Sequence, residues 1–116
     1  NGDDIIIHGD GKQTRSMSYV SDIVDGLVGI LNNRNKLNGE IINIGSSEEM
    51  SVIDSAKLIV ELCNSNSNII FVDGESVYGR YDEIKRRFAN ITKDTIDYKT
   101  NYTTIQGIER VINDWK

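Results

Sequence analysis

The sequence predicts an α/β fold of three to four short strands and three helices, and three observations predict it. Brief runs rich in isoleucine, at 5–7 and 41–44, are bounded by acids, asparagines and glycines, as short buried strands are. Apolar residues at helical spacing recur in three longer segments. Two of those segments open on a side chain pair that can close a capping box, Ser51 with Asp54 and Thr103 with Gln106. Strand-like and helix-like segments alternate without a repeat or a low-complexity linker, which is the order of an α/β chain.

In order, residues 4–8 read as a strand that ends at the turn Gly9-Asp10-Gly11. Arg15, Met17 and Tyr19 then alternate with Ser16 and Ser18, a period of two that puts arginine, methionine and tyrosine on one face. Ser21 is placed to cap a helix over 22–32, whose apolar residues cover more than one face and call for a substantial partner. Within it, Gly26 and Gly29 would admit a close neighbour. Residues 40–45 read as a second buried strand and 51–63 as a capped helix striped by Val52, Ala56, Ile59, Val60 and Cys63. A third strand is expected over 68–72, then an irregular stretch over 73–89 and a short helix over 91–96. The last helix, over 103–115, carries Ile105, Ile108, Ile112 and Trp115 at helical spacing, so Trp115 reads as core.

At 116 residues and 13.0 kDa the chain is one domain or a part of one. A net charge of -5 gives no global attraction for nucleic acid or an anionic membrane surface. No apolar run approaches the roughly 20 residues of a membrane span, and the opening Asn1-Gly2-Asp3-Asp4 is unlike a signal peptide. The single Cys63 has no internal disulfide partner, which fits a reducing, cytoplasmic setting. One His and one Cys do not make a standard zinc site, and His8, in an apolar strand, reads as a core residue. Proline is absent, where average usage of about 5% would give roughly six.

Two clusters could carry chemistry. Arg15 follows a glycine turn on a strand, where its planar fork could hold phosphate oxygens bidentately or simply face solvent. Arg80, Lys85, Arg86 and Arg87 crowd cations into a short segment of an acidic protein, and that segment could bind an anion or pair with Asp82 and Glu83. Two superficial motifs do not survive inspection. Tyr81 and Lys85 have a Tyr-x-x-x-Lys spacing but sit in a charged segment with no helical apolar face. Gly9-Asp10-Gly11-Lys12 lacks the second glycine and the Gly-Lys-Ser/Thr ending of a P-loop. No glycine-rich dinucleotide fingerprint occurs.

The block 9–27, with Gly-Asp-Gly, Gln13, Arg15, Tyr19-Val20, Asp22 and Gly26-Leu27, closely resembles the second half of the extended short-chain dehydrogenase/reductase family. Those enzymes are the NAD-dependent epimerases, dehydratases and decarboxylases of nucleotide sugars. The strand Gly39-Glu40-Ile41-Ile42-Asn43-Ile44-Gly45-Ser46 and the segment Arg87…Ile91-Thr92-Lys93 extend the resemblance, which spans about residues 5–115. It departs from the family's pattern at Ala89, where proline is common, at Asp97, where glycine is usual, and in a shortened 93–98.

The resemblance implies a small C-terminal, substrate-binding part of a Rossmann-type enzyme, with residues 1–116 as a single domain or fragment and the cofactor-binding half absent. It implies substrate-binding roles for Gln13, Arg15, Tyr19, Arg80, Glu83 and Arg87, and leaves Arg86 a solvated cation. No catalytic, cofactor-binding or metal-binding residue is expected in the chain, NAD being the parent enzyme's cofactor. The expected partners are a UDP- or dTDP-sugar, the N-terminal Rossmann half and a second copy in a homodimer, with no nucleic acid and no membrane. No turnover is expected of the chain alone, and the helix over 22–32 should expose a surface that promotes self-association. A self-sufficient nucleotide-binding or interaction module is the alternative.

Overall fold

The computed structural model describes residues 2–79, 84–91 and 96–115. β1 (Ile5–His8) ends at the Gly9-Asp10-Gly11 turn, where Gly9 and Gly11 take φ of 76° and 71°. These are left-handed values that favour glycine. The turn leads to the short β2 (Thr14–Arg15) and then to α1 (Val20–Asn32). β3 (Met50–Ser51) runs directly into α2 (Val52–Leu62), and β4 (Ile69–Val72) follows. A one-turn helix, α3 (Gly74–Tyr78), the two-residue β5 (Arg86–Arg87) and α4 (Thr104–Trp115) complete the chain.

The strands form two small sheets. β1 and β4 pair in parallel, with Ile5 opposite Ile69 and His8 opposite Val72. In the second sheet β2 lies between β3, antiparallel to it, and β5, parallel to it. Its register sets Thr14 opposite Ser51 and Arg86, and Arg15 opposite Met50 and Arg87.

Both helix caps form, the second as a full capping box. Asp54 N donates to Ser51 Oγ at 3.0 Å, and Gln106 N to Thr103 Oγ1 at 3.2 Å. In the second box Thr103 N returns a bond to Gln106 Oε1 at 3.0 Å. The cap of α1 differs from expectation. Tyr19, not Ser21, is the cap residue, it makes no side-chain cap bond, and the buried Ser21 Oγ has no partner. The helix starts earlier because Tyr19 is extended and its carbonyl accepts from the Asp22 and Ile23 amides. Asp22 is fully buried and accepts the backbone amides of Asn101 (3.0 Å) and Tyr102 (3.3 Å), tying α1 to the segment that opens α4.

Three further expectations are corrected. Residues 40–45 join no ladder among the described residues. An extended run of β-branched residues becomes a strand only when a neighbour pairs with it, and here Ile41 stands 87% exposed. Trp115, expected in the core, is 89% exposed at the end of α4. Within the stretch read as irregular, Asp73 accepts from Glu75 N at 3.2 Å and starts α3, and Arg86–Arg87 pair with β2. Residues 92–95 of the helix expected over 91–96 lie outside the described residues.

The chain is a thin, open slab of 50 × 38 × 17 Å. Its radius of gyration is 17.3 Å, against about 13 Å for a compact chain of this length. It leaves 8567 Å² accessible, against roughly 6,300 Å² for a folded monomer of its mass. Of the described apolar residues, only Ile7, Leu37 and Ala56 are buried. One stripe of α1, made of Val20, Val24, Leu27, Val28 and Leu31, faces outward, as the expectation of an exposed surface required. The opposite side of α1 packs closely. A Cβ on Gly26 would lie 2.6 Å from Ile44 Cγ2 and 3.0 Å from Tyr98 Cε2.

Candidate functional site

The three-stranded sheet sorts its charges by face. Side chains alternate along a strand, so residues in register share a face. Arg15 and Arg87 are therefore on one face with Met50, and Thr14, Ser51 and Arg86 are on the other. On the second face Arg86 is neutralised. Its Nε donates to both carboxylate oxygens of Glu49 at 3.0 and 2.9 Å, and a further bond runs from Nη2. Thr14 Oγ1 donates to the same carboxylate at 2.8 Å, and the Arg86 guanidinium lies 4.2 Å from the Phe88 ring centroid. The Arg86 hydrogen bond, followed by that of Thr14, holds Glu49 below the usual carboxylate range, and Glu49 in turn raises Arg86. Arg86 is exposed, as expected of a solvated cation, and it also has a partner, because Glu49 reaches it from the far edge of the sheet.

On the first face neither arginine is neutralised. Among the described residues Arg15 and Arg87 make no ion pair. Arg15 Nη1 donates to the carbonyls of Thr14 (2.7 Å) and Ile84 (2.9 Å), which fixes the guanidinium, and no carboxylate among the described residues matches its charge. Strands in a sheet stand about 4.8 Å apart, so two cations rise side by side from adjacent strands. That is an arrangement a diphosphate would relieve.

Gln13, two residues before Arg15, is buried. Its Nε2 donates to the His8 carbonyl at 3.2 Å, and its Oε1 has no partner. A buried acceptor without a donor is costly. Tyr19 is placed elsewhere. Because the strand ends at Arg15, Met17 and Tyr19 leave the sheet, and Tyr19 packs edge-on against Tyr102 at 5.0 Å. Arg110 lies 4.7 Å from the Tyr102 ring. Met17 and Tyr19 line a largely apolar cavity of about 610 Å³ with Ile59, Thr104, Ile108 and Ile112, in the groove between α2 and α4. The structure thus brings Arg15 and Arg87 together with Gln13 nearby and leaves Tyr19 apart. Arg80 and Glu83, and Tyr81 of the Tyr-x-x-x-Lys spacing, lie outside the described residues.

Glu49 is the residue that sequence reasoning missed. Its only signal is position: it stands two residues before Ser51, so alternation returns it to the face of Thr14 and Arg86.

The Gly9-Asp10-Gly11 turn does not fit a dinucleotide cradle. A Cβ on Gly11 would meet Ile53 Cβ at 3.0 Å and Ile7 and Phe71 at 3.3 Å. The glycine is required by the protein's own packing, not by a pyrophosphate against its backbone.

Comparison with known proteins agrees with this architecture. The NAD dependent epimerase/dehydratase family matches residues 1–45. UDP-N-acetyl-alpha-D-glucosaminuronate decarboxylase from Bacillus cytotoxicus is 40% identical over 96% of this chain and 35% of its own length. An epimerase structure from Methanothermobacter thermautotrophicus superposes with a TM-score of 0.85 at 30% identity, covering 98% of this chain and 34% of that one. UDP-glucuronic acid 4-epimerase from Bacillus cereus, in complex with UDP-glucuronic acid and NAD, gives 0.80 at 28% identity over 97% of this chain and 36% of that one. The fold is therefore that of the Rossmann-type epimerase and dehydratase structures. The chain is similar to a fragment of the NAD-dependent epimerase/dehydratase family and spans a fifth to about a third of the length of the relatives it matches. No helix among the described residues is long and apolar enough to cross a membrane.

Proposed function

We propose that this chain is the nucleotide-sugar-binding part of an NAD-dependent sugar epimerase, dehydratase or decarboxylase of the cytoplasm, without turnover of its own. The observation that carries the proposal is the sorted sheet: Arg15 and Arg87 in register on one face with no carboxylate partner among the described residues, while Arg86 beside them is matched on the other. In this reading the two guanidiniums hold the diphosphate, and Gln13, whose Nε2 is tied to the His8 carbonyl, buttresses the turn that leads to Arg15. Anchoring the diphosphate fixes where the sugar ring lies, the share of catalysis that belongs to positioning. NAD would supply hydride chemistry to the whole enzyme. In this reading the missing half would hold NAD, since the Gly11 turn is filled by the protein's own side chains, and the outward stripe of α1 suits an apolar neighbour.

The test is an NMR titration of the chain with UDP, dTDP and GDP, with NAD as control. Saturable shifts at residues 13–16 and 86–87 with one nucleotide are expected. Arg15→Ala removes a hydrogen bond to a charged group, worth about 1.5–3 kcal/mol, so affinity should fall roughly 10- to 150-fold. Binding that Arg15→Ala leaves unchanged, or no binding by any nucleotide, would refute the assignment.

A further inference from the structure

The Glu49–Arg86 pair spans the whole three-stranded sheet. Glu49 precedes β3 on one edge, Arg86 lies in β5 on the other, and Thr14 of the central strand donates to the same carboxylate between them. β5 is two residues long, and beyond its pairing with β2 its backbone is joined to the central strand by Thr14 N to Lys85 O (2.8 Å) and Ser16 N to Arg87 O (3.3 Å). Both arginines of the opposite face depend on that attachment. Arg87 is the next residue after Arg86, and Arg15 Nη1 is held by the Ile84 carbonyl just upstream of β5.

We propose that Glu49 and Arg86 are positioning residues: a strap on the back of the sheet that sets β5, and with it Arg15 and Arg87, in register to grip a nucleoside diphosphate. The inference rests on the nucleotide-binding reading above. The fork geometry is essential to it, because a guanidinium engaging both carboxylate oxygens fixes orientation as well as distance, which an ammonium does not. The Phe88 ring against the guanidinium restricts it further.

The sign of one substitution separates this role from simple charge. Glu49→Gln removes a negative charge near the site, so long-range electrostatics alone would tighten binding of an anionic nucleotide. The strap predicts the reverse. UDP should bind about fivefold more weakly to Glu49→Gln, in the range of coupling seen between residues of one network. Arg86→Lys, which keeps the charge and loses the fork, should behave alike. Hydrogen exchange supplies the second readout. The Thr14 and Ser16 amides, which close the β2–β5 ladder, should exchange faster in both variants while those of α2 and α4 do not.

Tighter or unchanged UDP binding in Glu49→Gln would overturn the proposal, as would weaker binding with no change in exchange at Thr14 and Ser16. Wild-type chain that binds UDP in an Arg15-dependent way while Glu49→Gln binds equally well would sink the strap and keep the site. Wild-type chain that binds no nucleotide would sink both.

Discussion

Asp22 joins the two ends of the chain, and its removal has a calculable effect. The side chain is fully buried in the first turn of α1 and takes the amides of Asn101 and Tyr102, about eighty residues away. A hydrogen bond to a charged acceptor contributes about 1.5–3 kcal/mol. The 3.0 Å bond and the longer 3.3 Å bond, both taken at the low end, together give about 3 kcal/mol for Asp22→Ala. Asp22→Asn keeps one carbonyl oxygen but turns an NH2 toward a backbone donor, so about 1.5 kcal/mol should be lost. With a urea slope of about 1.5 kcal/mol/M, the midpoints should fall by about 2 M and 1 M respectively. Hydrogen exchange should place the damage at residues 101–104 and the start of α4, because the released segment carries the Thr103–Gln106 cap. A midpoint shift under about 0.3 M for Asp22→Ala would refute the reasoning, since it would mean that water replaces the carboxylate without cost.

Two further outcomes follow from the same region. Gly26→Ala should gain about 1 kcal/mol of helix propensity but force a methyl to 2.6 Å from the branched Ile44 Cγ2, an overlap that costs about 1–3 kcal/mol. The net result should be destabilisation of about 1 kcal/mol, and thermal unfolding that shows stabilisation would contradict it. Tyr98→Phe should be neutral or stabilising by up to about 1 kcal/mol, because the buried hydroxyl has no partner. Burial, then the charges of Asp22 and Asp25, raise the Tyr98 phenol. The unfolded chain therefore ionises first as pH climbs past the ordinary value of 10.0, and wild-type stability should decline there while the Phe variant declines less. An equal alkaline slope in both would exclude the shift.

The helices were legible because each carries its own instructions. Ser51 with Asp54 and Thr103 with Gln106 cap through bonds between neighbours, and the apolar spacing behind them needs no distant partner to be recognised. Gly26 likewise announced a close approach, which Ile44 and Tyr98 supply. What failed depended on long-range pairing. The run 40–45 has the composition of a strand but joins no ladder among the described residues. Arg86–Arg87 look like part of a charged loop, and become a strand only because Thr14 and Arg15 pair with them. For the same reason composition and periodicity alone do not rank the cations of that segment, and only the family resemblance set Arg87 apart from Arg86. Arg86 and Arg87 are neighbours of one type, and only the alternation of a paired strand sends one to Glu49 and the other to the opposite face. Trp115 fits the apolar period of α4, yet periodicity marks which face a residue takes, not whether anything covers it.

The open shape and the sorted arginines are linked. A slab with three buried apolar side chains among its described residues has little core with which to fix a site, and its second sheet has strands of only two residues. Such strands gain little from backbone pairing, because short ladders in small sheets are marginal in water. What holds this one is side-chain chemistry: a carboxylate shared by Thr14 and Arg86, and the Arg15 fork on the Ile84 carbonyl. Those are directional, charge-assisted bonds, and they act where hydrophobic burial does not. The arginine face therefore keeps its order in a chain that leaves the α1 stripe exposed. The register of the arginine face and the exposure of the apolar surface are thus set by separate forces, and under the proposed reading a nucleotide would meet Arg15 and Arg87 in register even where the apolar surface is uncovered.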